Sequence, residues 1–181
     1  MKAEPSALAE YDAVVEKVEA AIARSSSSSS DQLACRSGCD SCCTAGLTVL
    51  PVEAAALRRF LNDQPPAFSP AFTPKGQGFC AFLDVDGRCS VYAARPLLCR
   101  THGLPLRLPR NDAEQRGGLR IIDDDVTVCA LNFTTRSPTA AETLDAEAVM
   151  KLLVVVDRRF RAATGVVDDT SRVSLEGGLR C

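Results

Sequence analysis

Four cysteines lie within nine residues of this sequence, in the segment CRSGCDSCC at positions 35–43. A thiol can form a disulfide, act as a redox catalyst or, as the thiolate, bind a metal ion such as zinc or iron. Close spacing lowers the entropy lost when several thiolates gather at one ion, and distant cysteines can then close the chain around it. The rest of the chain has to distinguish among these three chemistries.

Eight of the nine cysteines precede the C-terminal tail. They fall into four local groups: Cys35, Cys39, Cys42 and Cys43; Cys80 and Cys89; Cys99; and Cys129. Four thiolates complete one tetrahedral zinc site or one iron–sulfur cluster, so eight thiolates are enough for two. These eight are the candidate metal ligands. Cys129 is also explained as a small buried apolar side chain, and Cys181 is most simply a free thiol in the tail.

Cys42 and Cys43 are adjacent. Successive side chains of an extended backbone point to opposite faces, so two neighbours do not easily bind one tetrahedral ion unless the backbone bends. Our hypothesis is that they serve two neighbouring centres. A redox C-x-x-C motif formed by Cys39 and Cys42 would need a thioredoxin-like βαβ context, which the pattern does not show. The C-x3-C-x2-C spacing also resembles the radical S-adenosylmethionine motif, but Ser41 stands where those enzymes carry an aromatic residue.

The composition is that of an ordinary globular protein. The chain has 181 residues, of which 46% are hydrophobic and 24% are charged, so it can form one domain with a core. The net charge of -2 gives no global attraction to nucleic acid. The first residues lack the apolar stretch of a secretory signal, and no run approaches the roughly 18 apolar residues of a membrane span. We therefore predict a cytoplasmic protein, where free thiols persist and disulfides are disfavoured.

Short elements separate the cysteines. A stripe at spacings of three and four predicts an N-terminal helix and is formed by Leu8, Tyr11, Val15, Val18 and Ile22. The serine run at 25–30 predicts a flexible linker. LTVL predicts a strand before a helix that starts at Pro51, and a proline-rich loop follows that helix. LRII and VTVC flank acidic residues and predict a hairpin.

A helical pattern extends from about Ser137 to Gly165, as one helix or two, with one face formed by Val149, Leu152, Leu153, Val156 and Phe160. We therefore predict a helix-rich α+β domain with short strands, organised around a cysteine-bound metal centre. Its parts are an amphipathic helix and serine-rich linker (1–30), the metal-binding domain (31–135), and a C-terminal helix and tail packed on the same domain (136–181).

The second cysteine block is the more specific one. CAFLDVDGRCSVYAARPLLCR places Cys80, Cys89 and Cys99 around an apolar pair, a turn and the motif R-P-x-x-C-R. Together with C-x3-C-x2-C-C, this order resembles the YkgJ-type cysteine-cluster family of bacterial proteins, described as zinc- or iron-chelating domains. The resemblance implies that the metal-binding set is Cys35, Cys39, Cys42, Cys43, Cys80, Cys89, Cys99 and Cys129. It implies no reaction.

Other side chains close to the cysteines in the sequence have two possible roles each. Arg95 and Arg100 could donate hydrogen bonds to thiolate sulfurs or form surface ion pairs, and His102 could be a ligand or a donor to sulfur. Six arginines between residues 95 and 120 could face an anionic partner or be solvated loop residues.

Two functions fit the sequence. One is a metal-binding protein whose zinc or iron–sulfur centre is structural or handles the metal itself. The other is a redox or protein-modifying enzyme that depends on iron or an iron–sulfur cluster. The sequence supplies no acid, base or nucleophile beyond the thiols, which favours the first.

Overall fold

The computed structural model describes residues 3–65, 78–108, 119–123, 125–166 and 172–175. Within these ranges the fold is α+β, as the sequence predicts, with four helices and short strands. The helices are α1 (Ala3–Ser26), α2 (Pro51–Asn62), α3 (Leu97–Thr101) and α4 (Ala146–Thr164). Single 3-10 turns lie at Ser30–Gln32, Tyr92–Ala94 and Ala140–Glu142. None of the helices in the described part of the chain has the length and apolar character needed to cross a membrane.

Helices α1, α2 and α4 pack into one apolar layer. Its buried members include Tyr11 and Val18 of α1, Val52 of α2, and Val156 and Phe160 of α4. Residues three and four apart lie on the same face of a helix, so the stripe predicted for α1 turns towards the other two helices. The N-terminal helix is therefore part of the core of the molecule.

The buried carboxylate of Glu53 connects this layer to α3. Its Oε2 accepts a hydrogen bond from the N–H of Leu50 (3.0 Å), which precedes α2, and its Oε1 accepts from the N–H of Leu97 (3.0 Å), the first residue of α3. Burial raises the pKa of Glu53, and the two N–H donors oppose that rise. Because α3 carries Cys99, these two bonds fix the position of that cysteine relative to the helical layer.

The larger sheet has four strands in the order β3-β4-β2-β5. They are β2 (Leu106–Arg107), β3 (Leu119–Ile122), β4 (Val126–Cys129) and β5 (Leu144–Asp145). β3 and β4 form the predicted antiparallel hairpin, in which Leu119 pairs with Cys129. β2 pairs antiparallel with β4 and parallel with β5. Outside this sheet, β1 (Thr48–Val49) pairs antiparallel with β6 (Val173–Ser174).

The serine run differs from the predicted flexible linker. Helix α1 extends through Ser26, and Ser29 is 1% exposed. The Ser25 hydroxyl donates to the carbonyl of Ile22, and the Ser29 hydroxyl donates to the carbonyl of Ser25. Serine side chains that bond to the preceding turn let the chain continue a helical path where their composition alone suggests a linker.

The C-terminal helix begins later than predicted. The segment after Ser137 forms a 3-10 turn and strand β5, because Leu144 pairs with Leu106 in the sheet. Asp145 then caps α4, its Oδ1 accepting from the N–H of Ala148 (2.9 Å). The predicted end at Gly165 is confirmed. Of the predicted apolar face, Leu152 is 49% exposed, so it does not belong to the core. The proline-rich loop after α2 lies largely outside the described residues.

Candidate metal centre

Three of the predicted ligands, Cys35, Cys42 and Cys129, surround the turn at Gly103, and the charge of Cys39 acts on Cys35; we call these four cysteines group one. Gly103 has a φ of +90°, and a Cβ built on it would lie 3.9 Å from Sγ of Cys42, 4.0 Å from Sγ of Cys35 and 3.4 Å from Cβ of Cys129. Three cysteines thus converge around Gly103, where the positive φ favours glycine. Cys39 and Cys129 are also close enough for their negative charge to raise the pKa of Cys35, after the larger effect of burial.

The backbone delivers these residues from separate segments. The N–H of Cys39 closes a turn on the carbonyl of Arg36 (2.9 Å). Cys129, at the end of β4, donates its N–H to the carbonyl of Gly103 (3.1 Å). Strand pairing in the hairpin therefore brings the fourth cysteine of group one to a loop that lies about ninety positions earlier in the chain.

The remaining four predicted ligands form group two, which consists of Cys43, Cys80, Cys89 and Cys99. Cys80 is buried in an apolar cluster against which Cys43, Cys89 and Cys99 are packed. The N–H of Cys80 donates to the carbonyl of Cys43 (3.0 Å), and Cys89 forms an isolated β-bridge with Leu83. Helix α3 supplies Cys99. The second sequence motif and the last cysteine of the first motif therefore meet in one cluster.

Burial and mutual repulsion disfavour ionisation in group two. Burial raises the pKa of Cys99 to about 12, and the charges of Cys80 and Cys89 add to that rise. Burial also raises the pKa of Cys89. Arg95 opposes both increases through its positive charge. A bound cation would remove the repulsion between these sulfurs, because it interacts with all the thiolates at once.

Cys42 and Cys43 belong to different groups and contact each other. The Cys43 thiol donates a hydrogen bond to the sulfur of Cys42, which lowers the pKa of Cys42 to about 7 and raises that of Cys43. Cys42 lies by Gly103 with group one, whereas the charges of Cys99 and Cys80 act on Cys43. The N–H of Cys43 closes a turn on the carbonyl of Asp40 (2.8 Å), so the backbone is bent here and the division rests on the neighbours of each sulfur.

The type and number of donors fit two four-thiolate centres. Each of these eight cysteines, all within the described residues, lies outside any disulfide. In zinc sites the Zn–S distance is about 2.3 Å, which places the sulfurs ~3.8 Å apart. Among the residues that the structure describes, no three His, Cys, Asp or Glu side chains are arranged tightly enough to hold an ion. The thiols are therefore grouped, and coordination would require them to move closer together.

Asn132 is a functional candidate that the sequence analysis missed. Its side-chain nitrogen donates to Sγ of Cys35 (3.3 Å) and to the carbonyl of Gly103 (2.8 Å), and the residue is fully buried. The only signal in the sequence is its position three residues after Cys129, where the Asn132 N–H closes a turn on the Cys129 carbonyl (2.9 Å).

The arginines predicted near the sulfurs have other contacts. Arg100 pairs with Glu19 of α1 (2.5 Å) and donates to the carbonyls of Arg95 and Ala93. Arg95 stacks on the ring of Tyr92 at 3.6 Å and acts on the cysteines through its charge. Of the other four arginines, Arg107 pairs with Asp125, Arg120 donates to the carbonyls of Asn132 and Phe133, and Arg110 and Arg116 lie outside the described residues.

His102 directly follows α3, and its N–H donates to the carbonyl of Leu98. It precedes Gly103 directly, so its backbone leads into the turn at the centre of group one. Cys181 lies outside the described residues.

Comparison with known proteins supports the metal-binding interpretation for one segment. Residues 34–116 match the model of the family named CxxCxxCC, described as "Putative zinc- or iron-chelating domain". No curated protein and no solved structure matches the chain. The matched segment contains seven of the eight grouped cysteines, and Cys129 lies beyond its end. The predicted resemblance to a cysteine-cluster family is thus confirmed by the match of residues 34–116 to the CxxCxxCC model.

Proposed function

We propose that this protein holds two adjacent metal centres, each with four cysteine ligands, and that these centres are structural or handle the metal itself. One observation carries the proposal: adjacent Cys42 and Cys43 lie in different groups, and each group then contains four cysteines. Eight thiols divided evenly in this way match the ligand number of two zinc sites or two cysteine-bound iron–sulfur clusters.

The first centre would use the four cysteines of group one, and the second centre those of group two. Zinc would supply a redox-inert crosslink between segments, whereas an iron–sulfur cluster would supply a one-electron carrier. Both metals bind four thiolates, so the ligand set is compatible with either. We further propose that residues 31–135 form the metal-binding domain.

The two groups differ in solvent exposure. Cys35 of group one is exposed as a residue although its sulfur is partly desolvated, whereas Cys80 of group two is buried within an apolar cluster. A metal at group two would join α3, the turn before it and the first cysteine loop, which favours a structural role. A metal at group one would be accessible to an exchanging thiol through Cys35, which favours metal handling. Exchange of this kind requires reduced thiols, so we propose a cytoplasmic location.

The experiment compares metal content in variants from each group. The protein is purified without oxygen, and its absorption spectrum, metal content and labile sulfide are measured. Cys39→Ser and Cys99→Ser each replace one soft thiolate with a hydroxyl, so each should lose the metal of one centre and retain the other. Cys181→Ser is the control and should keep both. Full metal content in Cys39→Ser and Cys99→Ser, together with oxidised cysteine pairs, would contradict the proposal. Brown colour with labile sulfide would identify iron–sulfur clusters.

A further inference from the structure

We infer that Asn132 is the positioning residue of the first centre: it donates a hydrogen bond to the sulfur of Cys35, holds together the segments that carry the ligands, and so sets how tightly that centre keeps its metal. The inference rests on the proposed function, because it assigns a role to a residue around group one. Asn132 itself is not a ligand in this proposal.

The carboxamide of Asn132 makes three hydrogen bonds to two segments. Its oxygen accepts from the N–H of Ala34 (2.8 Å), and its nitrogen donates to the carbonyl of Gly103 (2.8 Å) and to Sγ of Cys35 (3.3 Å). Its backbone N–H donates to the carbonyl of Cys129 and closes a turn at the end of β4. One fully buried residue thus connects the first cysteine segment and the glycine turn through its side chain, and the end of β4 through its backbone.

The orientation of this carboxamide is fixed by its neighbours. An exchange of oxygen and nitrogen would place an NH2 against the N–H of Ala34 and an oxygen against the carbonyl of Gly103. Both contacts would be repulsive, and buried polar groups without a partner are unfavourable. The sulfur of Cys35 therefore faces an N–H donor. The contact of the Cys35 thiol to the carboxamide oxygen is longer, at 3.8 Å.

A donor at this position has a defined effect on a metal–thiolate bond. Hydrogen bonds to ligating sulfur orient the ligand and offset part of the negative charge of a four-thiolate site. The same amide also bonds to Gly103 and Ala34, so the two segments cannot separate without breaking hydrogen bonds of Asn132. Loss of such an outer partner typically lowers metal affinity roughly 10- to 100-fold.

The first test uses the unmodified chain. Cadmium-113 replaces the native metal in 15N-labelled protein, and scalar coupling between the metal and the side-chain amide protons of Asn132 is recorded. A coupling passes through the N–H···S–Cd contact only if the amide donates to a ligating sulfur. We expect one amide proton of Asn132 to couple to one of two cadmium resonances. Two bound cadmium ions with no coupling to Asn132 would overturn the inference and leave the proposed function intact.

The second test measures metal loss from a variant. In Asn132→Ala we expect a chelator to remove the zinc of the first centre roughly 10- to 100-fold faster than from the unmodified protein, while the second centre is unchanged. The control is Thr127→Val on strand β4, because Thr127 is also fully buried but its hydroxyl contacts the carbonyl of Leu106. Retention of zinc in the second centre reports that the variant is folded. Equal rates of zinc release from Asn132→Ala and Thr127→Val would overturn the inference. If the unmodified chain binds no metal through its thiolates, both the inference and the proposed function are overturned.

Discussion

Replacing Gly103 with alanine tests whether the space enclosed by group one is where a metal is bound. At a φ of +90° an L-residue is strained, and the added methyl group would lie between the sulfurs of Cys35 and Cys42. The substitution therefore has two separable effects. One is backbone strain, which acts with or without metal, and the other is occupation of the space into which the sulfurs must move.

The expected losses of folding stability and of zinc affinity follow from the local geometry. A residue held in a sparsely populated backbone conformation costs about 1–3 kcal/mol. In the metal-free protein the methyl makes ordinary contacts, at 3.9 and 4.0 Å from the two sulfurs and a tighter 3.4 Å from Cβ of Cys129. Zinc would draw the sulfurs to ~3.8 Å from one another. Overpacking of a closed site costs about 1–3 kcal/mol, which corresponds to roughly 5- to 150-fold weaker binding.

The assay combines denaturant unfolding of the metal-free protein with chelator competition for zinc. The matched control is Gly78→Ala, because Gly78 has a φ of +93° and a Cβ there would meet nothing within 4 Å. We expect both variants to lose similar stability without metal and only Gly103→Ala to bind zinc more weakly at the first centre. Unchanged zinc affinity in Gly103→Ala would refute the placement of a metal among these three cysteines.

Three further predictions concern the cysteine pair, acid stability and metal removal. Cys42→Ser should lose the metal of the first centre and Cys43→Ser that of the second, as metal analysis and cobalt spectra of each variant would reveal; loss of the same metal in both would contradict the division. The paired guanidinium of Arg136 lowers the pKa of Glu142 to about 2, so its contribution to the unfolding free energy of the metal-free protein should be complete above about pH 4.5 and lost as the pH falls towards 2. Glu142→Gln should flatten that dependence in acid titrations followed by circular dichroism, and an unchanged curve would exclude the pair as its cause. Chelation should lower the melting temperature by about 2–4 °C for each kcal/mol of metal-linked stability, whereas an unaltered melting curve after verified metal loss would argue against structural centres.

The sequence predicts which residues are the candidate ligands better than it predicts the residues that surround them in the fold. Cysteine spacing identifies the candidate ligands, and adjacency of Cys42 and Cys43 predicts that they belong to different groups, because side-chain direction alternates along an extended chain. Periodicity likewise predicts the α1 stripe and the β3–β4 hairpin. These features depend on residue type and local spacing, which a sequence displays directly.

Features that depend on tertiary contacts could not be read in the same way. Asn132 matters because hairpin pairing and the turn at Gly103 place it beside Cys35, 97 positions away. Glu53 lies within a pattern typical of a helix, yet its carboxylate is buried and binds the N–H of Leu97, 44 positions later. Similarly, pairing of Leu144 with Leu106 overrides the helical tendency after Ser137.

The most direct measurement of the central claim is native mass spectrometry of the protein purified without oxygen. The mass added to the 19.3 kDa chain reports the number and identity of bound ions or clusters at once. Two four-cysteine centres predict two zinc ions or two iron–sulfur clusters for each chain, with loss of one in Cys42→Ser. A chain that carries one centre, or none, under conditions where all its cysteines remain reduced would contradict the claim.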